Sequence, residues 1–270
     1  MRFSEILLIA TAVTGCIWAY DVLFSRYRRS LYVLSSKNET VKDPWWVEYS
    51  KSFFPILLIV FLLRSFLAEP FRIPSGSMRP TLLEGDFIVV NKYDYGLRFP
   101  LFGTKLLDLG TPKRGDIIVF KHIKNGESID MIKRVIGLPH DHVLYKDKMI
   151  YINGKPVKQE FVSEKTERDE RGQTYSVREL TEQLGDIKYK IYVQSDNNKM
   201  VSYRYDNVTV PADSYFVLGD NRDNSGDSRF WGFVKDVDVQ GRALAIWMSW
   251  DSDKYSVRWD RFGRLYSKVD

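Results

Sequence analysis

The sequence predicts a mainly β protein: an exported antiparallel β-sheet domain anchored by two N-terminal transmembrane helices. Three observations predict it. Two apolar runs occupy the first 68 residues, a basic stretch separates them, and from Glu69 onward short β-branched and aromatic runs alternate with turn residues. The expected organisation is a first transmembrane segment at 1–24, a cytoplasmic basic loop at 25–51 and a second transmembrane segment at 52–68. An exported β-rich domain at 69–270 completes it, with a less regular insert at about 160–210.

Ile6 to Phe24 is a 19-residue apolar run that spans roughly 28 Å as a helix, close to the thickness of a hydrocarbon core. A removable signal is the alternative, since Val13-Thr14-Gly15-Cys16 resembles a lipoprotein cleavage site. The apolar run continues through Ile17, Trp18, Ala19, Val22, Leu23 and Phe24, which favours a span. Residues 25–51 carry Arg26, Arg28, Arg29, Lys37, Lys42 and Lys51 against Glu39, Asp43 and Glu48, so this loop is expected in the cytoplasm and both termini outside. In the second run, Phe53 to Ala68, Pro55 is expected in the first helical turn and Arg64 at the far end, where it can snorkel.

Beyond Glu69 the expected strands are Asp86 to Asn91, Asp116 to Lys121, the runs within His142 to Asn153, Ile187 to Val193, Ser214 to Leu218 and Ala243 to Trp247. Asn153-Gly154 signals a two-residue hairpin turn. Ser176 to Leu184 reads as a short helix, with Ser176 and Glu179 in capping-box spacing and Gly185 as its stop. Residues 163–173 read as a charge-dense surface loop.

Composition narrows the partners. The 270 residues hold 40 basic and 35 acidic side chains, a net charge of +5 that is scattered along the chain, so nucleic acid is not an expected partner and a bilayer is. Cys16 is the only cysteine and lies in an apolar segment, which excludes an intrachain disulfide and a cysteine-rich metal site.

The chemistry centres on Phe71 to Leu82, FRIPSGSMRPTL. Pro74 and Pro80 fix φ and remove two backbone donors, which makes an ordered non-helical loop around Ser75, Gly76 and Ser77. Taken alone it reads first as an ordinary Ser-Gly turn. A nucleophilic serine needs a base. His122, His140 and His142 are the only histidines, and neither a Ser77/His/Asp triad nor a metal bound by His140 and His142 has a supporting motif. Lys133, in Met131 to Ile136, is the better candidate. Strand alternation puts it on a face with Met131 and Val135 and turns Arg134 the other way with Ile132 and Ile136; an apolar setting lowers a lysine pKa. The third rich stretch, Gly219 to Gly232, is too dense in turn formers and charges for strand or helix. Its acids lack EF-hand spacing, and Arg222 and Arg229 are available as internal counter-charges for Asp220, Asp223 and Asp227.

These residues together carry a resemblance. Ile73-Pro-Ser-Gly-Ser-Met78 with Pro80-Thr-Leu82, Gly85 to Val90, Arg114-Gly-Asp116 with Ile132-Lys-Arg134 and Gly137-Leu-Pro139, and Gly219 to Arg229 are similar to the ordered boxes of bacterial type I signal peptidases, or leader peptidases. One departure is His140, where relatives often carry glycine. The resemblance implies a membrane-anchored serine endopeptidase that cleaves signal peptides from preproteins on the outer face of the cytoplasmic membrane, using no cofactor and no metal. It implies Ser77 as nucleophile, Lys133 as general base, Ser75 as an oxyanion donor and Ser225 as the group orienting Lys133. Asp227 with Arg229 would brace the loop that begins at Gly219, and Asp220 would pair with Arg134. Ile73, Met78, Leu82 and Ile132 are the expected walls of shallow substrate pockets that admit alanine-sized side chains. Implied partners are preprotein signal peptides, the lipid bilayer and, by proximity, the secretion translocon. Only nine residue steps separate Ala68 from Ser77, which keeps the nucleophile within roughly 32 Å of the anchor. Phe99 to Phe102, Trp247 and Trp250 are then either headgroup-contacting or core residues. The rival readings are a self-cleaving Ser/Lys repressor and a membrane-anchored β-domain serving as adaptor or chaperone.

Overall fold

The structure, a computed structural model, describes residues 3–25, 43–98, 105–107, 109–124, 126–168, 172–195 and 205–265. The cationic residues Arg26 to Lys42 of the basic loop and the segment Phe99 to Phe102 lie outside the described residues.

The N-terminal unit is a helical hairpin. Helix α1 (Phe3–Tyr20) and helix α2 (Trp45–Leu62) each run on into a π turn, at Asp21–Ser25 and Leu63–Leu67. Trp18 stacks on Phe54 at 5.3 Å, and Lys51 Nζ lies 2.6 Å from Asp21, so the two helices are antiparallel. Gly15 permits this approach, because a Cβ there would fall 2.7 Å from the Phe54 ring. Both helices are long and apolar enough to cross a bilayer. Only 17% and 11% of their apolar windows are buried, unlike a soluble core helix. Helix α2 starts at Trp45, within the segment expected to be loop, so Pro55 sits in its interior and not in its first turn. A hydropathy run misses that start because Trp45, Trp46 and Tyr49 are interspersed with polar residues.

The second unit is built from strands. In chain order they are β1 (Ala68–Arg72), β2 (Asp86–Asn91), β3 (Leu97–Arg98), β4 (Lys105–Leu107), β5 (Ile117–Lys124), β6 (Glu127–Gly137), β7 (His142–Lys146), β8 (Met149–Ile152) and β9 (Lys155–Pro156). They continue as β10 (Lys158–Arg168), β11 (Thr174–Leu184), β12 (Ile187–Gln194), β13 (Tyr205–Thr209), β14 (Ser214–Leu218), β15 (Val234–Lys235), β16 (Val239–Asp251), β17 (Ser256–Val257) and β18 (Gly263–Arg264). The main sheet runs β1-β2-β16-β5-β6-β14-β15, with β17 and β18 added against β16; smaller sheets order as β10-β11-β12 and β13-β7-β8-β9. The pairings described among β2, β5, β6, β14, β15 and β16 are antiparallel.

Strand β6 has β5 on one side and β14 on the other, with Lys133 opposite Ile118 and Arg134 opposite both Ile117 and Leu218. Gly219 therefore leaves the sheet beside Arg134, and this register delivers the charged loop to the lysine. Beneath it, Ile73, Met78, Leu82, Ile88, Val90, Ile117, Val119, Ala243 and Ile246 form one apolar cluster. Ile136, Tyr145, Ile191, Phe216 and Leu218 belong to another, which joins β6 and β14 to the smaller sheets.

Two expectations fail here. Ser176 to Leu184 is strand β11 and not a helix. Glu179, taken as half of a capping box, is buried between Lys165 of β10 and Lys190 of β12, whose strands flank β11 on both sides. Ladder bonds and cross-strand ion pairs outweigh a local capping motif. Residues 163–168 of the expected charged loop likewise belong to β10, while 169–171 are outside the described residues. The Asn153-Gly154 turn is as expected: β8 meets β9 with Ile152 opposite Lys155, and both turn residues have positive φ.

Strand β11 also supplies Glu182, which is fully buried and receives two hydrogen bonds from Arg222, at 2.8 and 2.6 Å. Arg222→Met should cost about 3–5 kcal/mol in chemical denaturation by leaving this carboxylate unpaired, and adding Glu182→Leu should recover most of it. Breaking the exposed Lys158–Glu160 pair should leave the midpoint unchanged.

Candidate active site

Ser77 sits in a single 3-10 turn, Gly76–Met78, that the chain holds from three directions. Upstream, Ile73 donates to Asp86 O at 2.8 Å and Gly85 donates back to Ile73 O at 3.0 Å. Downstream, Met78 and Leu82 are both fully buried in the apolar cluster, and Leu82 N donates to Met78 O. From the charged loop, Asn221 donates twice, through its N–H to Ser77 O at 3.1 Å and through Nδ2 to Gly76 O at 3.0 Å. Sequence reasoning missed Asn221, whose role depends on a partner 145 residues away.

Lys133 Nζ donates to Ser77 Oγ at 2.6 Å and to Ile132 O at 2.9 Å. The lysine is buried, 3% exposed, and burial lowers its pKa from 10.5 to about 8, with Asp227 and Asp220 opposing the shift from a distance. No histidine among the described residues is hydrogen-bonded to Ser77. His122 packs on Trp231 at 4.7 Å, and His142 Nδ1 is bonded to Thr209 Oγ1 at 3.0 Å. His140 takes a left-handed φ of 70°, a conformation glycine adopts without strain.

The carboxylates around the lysine are each committed. Asp220 is chelated by Arg134 through Nε at 2.8 Å and Nη2 at 2.6 Å and accepts from Thr81 Oγ1, while Arg134 lies on the Tyr189 ring at 3.8 Å. Asp227 is chelated by Arg229, accepts from Gly219 N at 3.1 Å, and caps a one-turn helix α3 (Ser228–Trp231). The expectation of a purely self-paired, non-helical loop thus holds only for Asp227 with Arg229. Arg222 reaches Glu182, Asp220 reaches Arg134, and Asp223 accepts from Gln194 N at 2.7 Å. The loop is anchored to β6, β11 and β12 as well as to itself.

Gly219 is where close approach decides the residue. A Cβ there would fall 2.2 Å from Ser225 Oγ and 2.4 Å from Ser77 O, so Ser225 and the Ser77 backbone flank a position that only glycine fits. Ser225 Oγ is buried and has no hydrogen-bond partner among the described residues. Ser75, Gly76, Ser77, Met131 and Lys133 line one open cleft of about 460 Å³. Ile73, Met78 and Leu82, expected as pocket walls, do not line it: they are 3%, 0% and 0% exposed and support the serine turn from the core, with Ile132 packed against them. No group of three or more metal-ligating side chains occurs among the described residues.

Residues 46–250 match the family described as signal peptidase, peptidase S26. The chain is 43% identical over 281 residues to signal peptidase I of Pseudomonas aeruginosa and 42% identical over 281 residues to that of Pseudomonas fluorescens, covering 95% of each chain in both cases. It is 36% identical over 323 residues to signal peptidase I of Haemophilus influenzae, covering 99% of this chain and 92% of that one. With most of its length matched and a serine and a lysine meeting in one cleft, the chain belongs to the peptidase S26 family of signal peptidases.

Proposed function

We propose that this chain is a membrane-anchored serine endopeptidase that removes N-terminal signal peptides from preproteins at the outer face of the cytoplasmic membrane. The observation that carries the proposal is the 2.6 Å contact between Ser77 Oγ and a lysine amine stripped of water. At pH 7 an amine of pKa 10.5 is neutral in about one molecule in three thousand; at about 8 it is neutral in roughly one in eleven. The net shift, led by burial, thus raises the population of usable base by a factor on the order of a hundred or more.

In the proposed reaction the neutral Lys133 amine takes the Ser77 proton as Oγ attacks the scissile carbonyl carbon. The Ser75 hydroxyl and the Ser77 N–H receive the oxyanion. The ammonium then protonates the leaving amine, the C–N bond breaks, and an ester remains on Ser77. Lys133 next deprotonates a water that hydrolyses the ester and restores the hydroxyl. Ser225, expected to orient the amine, lies buried beside the serine turn without a hydrogen bond to Lys133; the amine is held by Ser77 Oγ and Ile132 O. Arg134 and Arg229 hold Asp220 and Asp227 away from it as paired charges; a free carboxylate at either place would stabilise the ammonium and suppress the base.

The two apolar helices support the anchor, and the cationic loop between them supports an orientation with the loop inside. A substrate that emerges from the bilayer, close to the translocon, would then meet the cleft near the membrane surface. It is expected to lie extended, bound by its backbone.

Ser77→Ala and Lys133→Met should each reduce preprotein cleavage by at least about a thousandfold, and the double variant should be no worse, because the two act as a unit. The stabilities should diverge. Lys133→Met removes a group that is harder to charge when folded than when unfolded, so it should stabilise the protein at pH 7 by up to about 3 kcal/mol. That gain should shrink as the pH rises from 8 towards 10.5. Ser77→Ala should leave stability near that of the parent. Equal stability of both variants would argue that Lys133 is solvated and charged.

The pH profile follows from the same shift. A base must be deprotonated, so kcat/KM should rise about tenfold per pH unit below 7, bend near 8 and be flat above about 9. An activity maximum at pH 6–7 would return the base to a histidine.

A further inference from the structure

The cleft that holds Ser77 and Lys133 extends past them to a second wall bearing Arg79, Lys124, Arg168 and Tyr175, with Glu84 as the carboxylate on its surface. Three strands and a turn contribute to this wall. Lys124 ends β5, Arg168 ends β10, Tyr175 is the second residue of β11, and Arg79 follows the serine by two residues. Arg79 fixes its geometry. Its Nε and Nη2 donate to Glu84 Oε2 at 2.9 and 2.7 Å, and its Nη1 donates to Glu167 Oε2 at 2.7 Å and to Arg168 O at 3.4 Å. The tip of the β10–β11 hairpin is thereby tied to the serine turn, across 88 residues of chain.

The charge accounting is uneven. Glu84 and Glu167 are both spent on Arg79, whereas Lys124 and Arg168 are exposed at the cleft and form no ion pair described in the structure. With Lys133 neutral in its working state, the cleft lining carries two exposed cations that form no ion pair among the described residues, beside an aromatic ring. On the reading that Ser77 cleaves an extended peptide, we infer that this wall is a specificity determinant that selects an acidic side chain near the scissile bond, with Lys124 and Arg168 as its charge readers. Successive residues of an extended chain advance about 3.4 Å and alternate in direction. A carboxylate is therefore favoured at one or two alternate positions on one side of the cut, and not uniformly along the peptide. Because both cations are exposed, the preference should be modest and sensitive to salt. The cleft location favours a peptide over an anionic lipid headgroup as the source of the charge.

The test uses the full chain in micelles of a neutral detergent. The substrates are peptides with alanine at the first and third residues before the cut and a single glutamate, glutamine or lysine scanned through the other positions. At low salt the wild type should show a kcat/KM ratio of glutamate to glutamine of about two- to fivefold at the favoured position, falling towards one at about 0.5 M salt. In Lys124→Glu/Arg168→Glu the ratio should invert, with the lysine peptide now preferred. Lys158→Glu, a charge reversal at an exposed pair that does not line this cleft, should leave it unchanged. A ratio of one at every position in the wild type would overturn the inference while leaving the protease reading intact. So would a preference that survives the double reversal, or one that appears only with anionic lipid. Failure to cleave any peptide would remove the protease reading on which the inference rests.

Discussion

The site depends on taking one amine out of water. Lys133 is buried on the interior strand β6 and touches Ser77 at 2.6 Å, and in the proposed mechanism the rest of the arrangement serves to keep that amine neutral and aimed. Holding a lysine at a pKa of about 8 when its unfolded value is near 10.5 costs about 3 kcal/mol at neutral pH. That is a large fraction of a domain's net stability, so the surrounding apolar clusters must supply it.

The same constraint explains the density of charge near the site. Aspartates beside a lysine raise its pKa, yet Asp220 and Asp227 lie in the loop that packs against the serine turn. Each is fully buried and chelated by an arginine, Arg134 and Arg229, so the loop gains rigid hydrogen bonding without presenting a free carboxylate. Rigidity matters because the loop positions the serine as well: Asn221 grips the carbonyls of Gly76 and Ser77, and Gly219 lets Ser225 lie alongside. Glu182 extends the bracing into the β10–β12 sheet through Arg222, whose Nε also bonds Gly219 O at 3.2 Å.

Much of this was legible in the sequence where local pattern and three-dimensional role coincide. Asp86 to Asn91 is strand β2 to the residue, whereas Lys133 and Arg134 are both buried in β6 and differ in their partners, Ser77 for one and Asp220 for the other. Ser77 stood out through its prolines and its glycine, and the resemblance to signal peptidases joined it to Lys133. What failed depended on distant partners. Glu179 and Ser176 have the spacing of a helix cap, and only Lys165 and Lys190 on neighbouring strands make Glu179 a strand residue. Met78 and Leu82 are apolar and close to Ser77 in sequence, but nothing local tells a core anchor from a pocket wall. Asn221, Thr81 and Arg79 act through contacts that span 139–145 residues for the first two and 88 for the third, beyond any local pattern.

The direct measurement of the central claim is the ionisation of Lys133 itself. In full-length protein held in micelles, labelled with 13C at lysine Cε, the Lys133 resonance can be assigned by its loss in Lys133→Arg and followed from pH 6 to 11. The account predicts a single titration with a midpoint near 8, well apart from the exposed lysines near 10.5. A midpoint among those other lysines would contradict it, because an amine that stays charged throughout the neutral range cannot serve Ser77 as a base.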